Sequence, residues 1–190
     1  LFAGLHWSLA RRDNRRVTVL MPYAQGLREL ADWFRQLWAE SLGKRADRGF
    51  TPVAALGAAD QHSQLQLWTE GPADAVVTFV EVEKFKNNFS VPKAWPDMEG
   101  VAYMAGHSFE EILHAERAAT AMALTKNGRP NGTLSIPAIT PGSLGALMYM
   151  FMLATAVAGE IMELNAYDQP GVEGMKRALY ALLGRKGYSL

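Results

Sequence analysis

Ala75-Val-Val-Thr-Phe-Val-Glu-Val82 decides the fold. The run is rich in β-branched residues, which pack well on a pleated surface. It is also apolar almost throughout, and a near-continuous apolar strand belongs to a parallel sheet covered on both faces. Working outward, Val17 to Leu20 is a β-branched run ending in Met-Pro, and Val53 to Leu56 is a second short apolar run feeding a Gly turn. Thr133 to Ile136 follows on the other side. All three read as strands.

Between the strands the period changes. From Gly26 to Leu42 the apolar residues fall at Leu27, Leu30, Ala31, Phe34, Leu37 and Trp38. Spacing of three and four predicts an amphipathic helix. Gln61 to Trp68 also reads as helical. Ser108-Phe-Glu-Glu111 has the pattern of a capping box, in which Ser and the Glu three residues on satisfy each other's free backbone donors. It opens a helix to about Lys126. Thr140-Pro141 and Asp168-Gln-Pro-Gly171 open two more, with Pro where its missing N–H costs nothing. Strand alternating with helix predicts an α/β layer fold with a mainly parallel sheet. In such sheets ligands bind beyond the carboxyl ends of the strands. The positions to watch therefore come just after Leu20, Leu56, Val82 and Ile136. Lys84 to Gly100, with Asn87, Asn88, Pro92 and Pro96, reads as a long surface connection.

A length of 190 residues suits one domain or slightly more. Lys plus Arg is 19 and Asp plus Glu is 19, so the net charge is zero. That balance excludes a protein devoted to non-specific nucleic-acid binding, which needs a surplus of cations. Hydrophobic residues make up 49% and charged residues 20%, which excludes a disordered chain. The absence of cysteine excludes disulfides, cysteine nucleophiles and thiolate metal sites, and fits a reducing compartment. No basic region followed by an apolar run marks a signal peptide. The chain begins at Leu1 rather than Met and is expected to start inside a longer polypeptide. Leu144 to Gly159 carries no charge and then meets Glu160 and Glu163. A membrane span needs roughly 20 apolar residues and usually basic flanks. This run is expected to be a helix buried on most sides inside a soluble core.

Few residues stand out as chemistry. His62 follows a strand and a turn, where a reacting histidine would sit or where a polar residue would start a helix. His107 and His114 lack the i, i+4 spacing of a helical zinc pair. Glu40 lies roughly 110° from the centre of its helix's apolar stripe. It sits near the helix C-terminus, where the dipole disfavours a carboxylate. It reads as a solvated residue paired with Lys44 or as a reacting group. Arg11, Arg12, Arg15 and Arg16 read as a solvated helix-to-strand turn rather than a phosphate site. Asn88-Phe-Ser90 and Asn131-Gly-Thr133 match the glycosylation sequon, which means little without a secretory signal. Lys176, on the first turns of the last helix, is either solvated or faces a substrate oxygen.

Four segments together resemble one family. Tyr167-Asp-Gln-Pro-Gly-Val-Glu-Gly-Met-Lys176 resembles the carboxy-terminal signature of the glucose-6-phosphate isomerases. Gly57-Ala-Ala-Asp-Gln-His-Ser-Gln64 resembles their histidine segment, and Trp38-Ala-Glu-Ser-Leu-Gly-Lys44 their catalytic glutamate segment. Leu124-Thr-Lys-Asn-Gly-Arg-Pro130 is similar to the bacterial branch. The resemblance runs from about Pro22 to Lys176, with the motifs in the family's order.

The resemblance implies a three-layer αβα sandwich with a mainly parallel sheet, the sugar-isomerase (SIS) fold, used twice per subunit. Residues 1–190 resemble the second unit plus a C-terminal helical tail. The first unit, which supplies the phosphate loop and an arginine at the reaction centre, has no counterpart in the chain. The implied reaction is the reversible conversion of glucose 6-phosphate to fructose 6-phosphate, without metal or other cofactor. By resemblance His62 moves a proton to or from the ring oxygen, a role suited to a pKa near neutrality. Lys176 holds a sugar oxygen, Gln169 binds substrate, and Glu40 shuttles a proton between C2 and C1 through an enediol. The implied enzyme is a cytoplasmic homodimer of glycolysis and gluconeogenesis, with the histidine supplied across the interface and with no nucleic-acid or membrane partner. The isolated chain is expected to have little activity. A non-catalytic sugar-phosphate-binding regulatory module and a dual phosphoglucose/phosphomannose isomerase are the alternatives. Retention of Glu40, His62 and Lys176 together speaks against the first, and a mannose 6-phosphate assay distinguishes the second.

Overall fold

β3 occupies Ala75–Val82, the stretch picked out by its β-branched run, and only Glu81 in it is not fully buried. A computed structural model describes residues 1–189. β3 pairs in parallel with β1 (Val17–Pro22) on one side and β4 (Asn131–Ile136) on the other. β2 (Thr51–Ala54) pairs in parallel with the free side of β1, so the order is β2-β1-β3-β4. β2 lies earlier than the run Val53 to Leu56 suggests. Its ladder stops at Ala54 opposite Leu20, with the Ala55 N–H still reaching the Leu20 carbonyl. The Leu56 N–H turns to the Asp60 carboxylate at 2.7 Å.

Helices connect these strands: α1 (Phe2–Asp13), α2 (Arg28–Leu42), α3 (Ala59–Glu70), a short α4 (Glu99–Ala102), α5 (Phe109–Lys126), α6 (Pro141–Met162) and α7 (Glu173–Leu182). Side chains alternate across the sheet, so two cores form. Leu20, Val80 and Val82 meet α1, α2 and α6, around Phe34, Trp38 and Phe151. Phe34 stacks on Trp38 at 5.4 Å and meets Phe151 at 4.8 Å. Val19, Met21, Val77 and Phe79 meet α3 and α5, around Tyr23, Trp68 and Leu124. The result is the three-layer αβα sandwich. Gly57 is required against the buried Tyr23 ring, because a Cβ there would come within 2.5 Å of it. The Tyr23 hydroxyl is itself fixed, 2.7 Å from Gln61 Oε1 and 3.0 Å from Thr120 Oγ1.

The capping box forms as its spacing predicts: Ser108 Oγ accepts from the Glu111 N–H, and the Ser108 N–H donates to Glu111 Oε2 at 2.8 Å. The arginine-rich turn is less solvated than expected. Arg11 and Arg12 are exposed, but Arg15 donates to the Gly128 carbonyl and Arg16 to the Ala46 carbonyl. The apolar helix α6 corrects a second expectation. It is buried along one stripe (Leu147, Phe151, Ala154, Thr155, Ala158, Gly159, Met162), while Tyr149, Met152, Leu153, Val157 and Ile161 are exposed. The physical reason is that α1, α2 and one face of the sheet cover a single side of it, whereas a helix apolar all round needs partners all round. Among the described residues α6 is also the one helix long and apolar enough to cross a membrane by length and composition.

His6 on α1 is 4% exposed. Its Nδ1 donates to the Phe2 carbonyl at 3.1 Å, and its Nε2 is buried without a partner. Burial pushes its pKa below the ordinary 6.5, opposed by the Phe2 hydrogen bond. The unfolded chain therefore binds this proton more readily than the folded one. Stability is expected to fall as pH drops below 6.5 toward the lowered folded value. Urea midpoints at about pH 7.5 and 5.5 test this: the shift between them should shrink in His6→Leu.

Candidate active site

All four strands run in one direction, so the sheet has a carboxyl pole and an amino pole. α2 leaves the carboxyl end of β1 and returns to the start of β2. Glu40, on its last turn, is therefore carried to the amino pole. The helix ends there because Gly43 follows. Its N–H donates to the Ala39 carbonyl at 2.9 Å, and a Cβ on it would come within 2.6 Å of that same oxygen. Glu40 is exposed and accepts a long hydrogen bond from Gln36 Nε2 at 3.4 Å.

Lys44 is not paired with Glu40, as its spacing had suggested. Its Nζ donates to Asp168 Oδ1 at 2.6 Å and to the Asn165 carbonyl. Both partners lie beyond α6. Tertiary contact wins over the i, i+4 pairing because Asp168 comes within direct reach, whereas an exposed helical pair is worth only a few tenths of a kcal/mol. The Lys44 ammonium beside Asp168 holds that carboxyl below its usual range, and Asn165 Nδ2 takes the other oxygen at 2.9 Å. Just upstream, Arg48 Nη1 donates to the Met162 carbonyl at 2.9 Å and to Glu163 Oε2 at 2.5 Å.

These contacts bring the tail against α2. Gln169, Pro170, Gly171 and Val172 form one wall of a cleft of about 330 Å³. Ala39, Glu40, Gly43 and Lys44 form the other. Lys176 stands on the first turns of α7, its Nζ donating to Glu173 Oε1 at 2.7 Å. The Glu173 carboxylate raises the Lys176 pKa, and Glu40 contributes at longer range in the same direction. Lys176 therefore remains a cation. Glu40 and Gln169, far apart in sequence, line this one cleft, and Lys176 follows on α7 outside its lining.

His62 does not join them. It follows β2 on the first turns of α3, which puts it at the carboxyl pole and on the opposite face of the sheet from α2. The six-residue β1 spans about 20 Å at 3.3 Å per residue. General acid–base groups must come within about 3 Å of the proton they move, so one bound sugar cannot touch Glu40 and His62 of the same copy. His62 is exposed, and the turn that carries it is fixed by Asp60, which accepts from the Leu56 N–H and from Ser63 Oγ. Burial alone would raise the Asp60 pKa, but these hydrogen bonds outweigh it and lower the value.

Of the candidate residues, His62 alone lies beyond the carboxyl ends of the strands. A cleft of about 410 Å³ does open there, lined by Ala24, Gln25, Leu56, Phe85 and Ile139 among others, but none of its lining residues is titratable. The other candidates depart from the strand-end rule because a helix C-terminus and the tail carry them. His114 Nε2 lies 2.9 Å from the Val82 carbonyl, and His107 Nδ1 lies 3.6 Å from Glu111. Among the described residues no group of three or more His, Asp or Glu could hold a metal ion. Reading the sequence missed the contact of Lys44 with Asp168, although both residues lie inside the quoted motifs.

The phosphoglucose isomerase family model matches residues 5–183. The chain belongs to the phosphoglucose isomerase family. The glucose-6-phosphate isomerase of Rubrobacter xylanophilus is 48% identical over 98% of this chain, which covers 43% of that relative. The glucose-6-phosphate isomerase of Methanocaldococcus jannaschii is 34% identical over 96% of it, covering 44% of that relative. The chain thus spans less than half the length of the curated relatives it matches. A crystal structure of a hypothetical protein from Thermus thermophilus superposes with a TM-score of 0.87 at 38% identity, over 96% of this chain and 44% of that one. A glucose-6-phosphate isomerase from Chlamydia trachomatis superposes with a TM-score of 0.76 at 21% identity, over 93% of this chain and 37% of that one, and shares the fold.

Proposed function

We propose that the chain is the C-terminal sugar-isomerase unit, with its helical tail, of a glucose-6-phosphate isomerase. In this reading a further unit supplies the phosphate loop and a cation at the reaction centre. The observation that carries the proposal is that Glu40 and Gln169 line one cleft, with the Lys176 ammonium near enough for the Glu40 charge to act on it. The curated relatives named glucose-6-phosphate isomerase support the choice of substrate.

The chemistry follows from the side chains. His62 moves a proton to or from the ring oxygen and opens the sugar. Glu40 takes the C2 proton, the C2–H electron pair forms the C1–C2 double bond as the C1=O π pair moves to O1, and O1 takes up a proton to give the enediol. The O2 proton is then lost as C2=O forms, and the double-bond pair takes the same proton or a solvent proton at C1. One carboxylate suffices when both carbons present their protons on one face. Lys176, held protonated by Glu173, offers positive charge to a sugar oxygen. Gln169 hydrogen-bonds the substrate. No step requires a metal or a redox cofactor. Because His62 and Glu40 are carried to opposite poles, the working unit is a homodimer whose site takes its histidine from the second copy. Its place is the cytoplasm, in glycolysis and gluconeogenesis, acting on a small sugar phosphate and on no nucleic acid or membrane.

A coupled assay tests this. The 190-residue chain alone is expected to turn over little fructose 6-phosphate, since remote binding energy supports turnover as well as affinity. Grafted in place of the matching 43% of the Rubrobacter xylanophilus relative, it should isomerise the sugar. In D2O the product should carry deuterium in at least part of the molecules. Deuterium at C1 of the product would exclude direct hydride transfer, and Glu40→Gln that keeps full turnover would overturn the enediol shuttle. An inactive graft that still folds and dimerises would overturn the function.

A further inference from the structure

We propose that Lys44 is a positioning residue: through Asp168 and the Asn165 carbonyl it latches the tail onto the end of α2 and sets Gln169 and Lys176 against Glu40. The inference rests on the proposed function in taking those three residues as the reacting site.

The argument begins with what else could hold the tail. α7 has no buried residue, and Met175, Leu179 and Leu182 on it are exposed. Its main packing is against its own preceding turn, Pro170–Val172. Apolar burial against the sheet therefore does not fix it. Gly159 lets the returning chain lie close to α6, since a Cβ there would come within 2.9 Å of the Ala166 Cβ, but close approach is not attachment. Arg48 ties down Glu163 and the Met162 carbonyl, upstream of the site.

That leaves Lys44. Its side chain is only 13% exposed, the most covered lysine in any ion pair among the described residues. It reaches a backbone carbonyl and a carboxylate at once. Asp168 is locked from its other oxygen by Asn165 Nδ2, and Asn165 Oδ1 accepts from the Tyr167 N–H. The segment from 165 to 168 is thus a rigid turn with an ammonium at its centre, and Gln169 is the next residue. Lys44 is four residues after Glu40 on the same helix end, so the latch and the proposed base share one support.

Hydrogen exchange of this chain, without substrate, tests the latch. Lys44→Met and Asp168→Asn are each expected to speed exchange of amides 166–176 about tenfold, with β1 and β3 unchanged. The double variant should add little to either single one, because the two side chains form one contact. Lys44→Arg should keep most of the protection. In the grafted isomerase, Lys44→Met should lower kcat about tenfold or more while KM for fructose 6-phosphate changes less than about threefold. Unchanged exchange in both single variants would overturn the latch. Faster exchange with unchanged kcat would reduce it to a structural contact and overturn the positioning role. If Lys44→Met loosens β1 and β3 as well, Asp168→Asn, whose side chain is half-exposed, decides. The exchange result holds whether or not Glu40 is the base.

Discussion

Glu40→Gln is expected to lower isomerase turnover in the grafted enzyme by about 10²–10⁴-fold with KM little changed. The amide keeps the shape of the carboxylate and its contact with Gln36, but it has no basic oxygen to receive the C2 proton. The substitution should leave folding intact. Glu40 is exposed on the last turn of α2, and exposed substitutions away from caps and cores cost at most about 0.5 kcal/mol. Removing a negative charge from a helix C-terminus is, if anything, mildly favourable. Steady-state kinetics beside a urea midpoint separate the two effects. A variant that retains wild-type kcat would remove Glu40 from the proton shuttle. A variant that loses kcat with an unchanged midpoint locates the loss in the chemistry.

The strands and helices were legible because burial on two faces leaves a plain mark. A parallel strand such as β3 must be apolar on both sides, and α2 must repeat its apolar residues with the helical period. The caps were legible because Ser108, Glu111 and Thr140 act on backbone groups within one turn. Local periodicity carries no information on what a helix meets next. That is why α6 reads as buried on most sides from its composition, although α1, α2 and the sheet cover a single stripe. The same limit applies to the site. Local spacing offers Lys44 only Glu40 as a partner, while its actual partners, Asn165 and Asp168, arrive after three strands, three longer helices and a return loop. Glu40, His62, Gln169 and Lys176 are weak candidates one at a time, and the family motifs single them out together. Which of them share a cleft depends on the direction of α2 relative to β1, which is a property of topology.

Mixing Glu40→Gln and His62→Asn subunits is expected to recover activity that neither variant has alone. Glu40 lies at the amino pole on the α2 face, and His62 lies at the carboxyl pole on the α3 face. If each site takes the base from one copy and the histidine from the other, a mixed dimer has one site with both groups intact and one with neither. Random exchange makes about half the dimers mixed, and half the sites in those are sound, so turnover should approach about a quarter of the wild-type value. Each parent should stay about 10²-fold or more below wild type. Differently tagged subunits, denatured together and refolded, give the fraction of mixed dimers directly, and turnover should rise in proportion to it. Mixed dimers no more active than their parents would mean that Glu40 and His62 do not share a site. His62 would then have to act from within a copy in which a strand length of about 20 Å and the thickness of the sheet stand between it and the base. Ring opening and proton transfer would in that case need separate sites, and the enediol scheme would lose its acid.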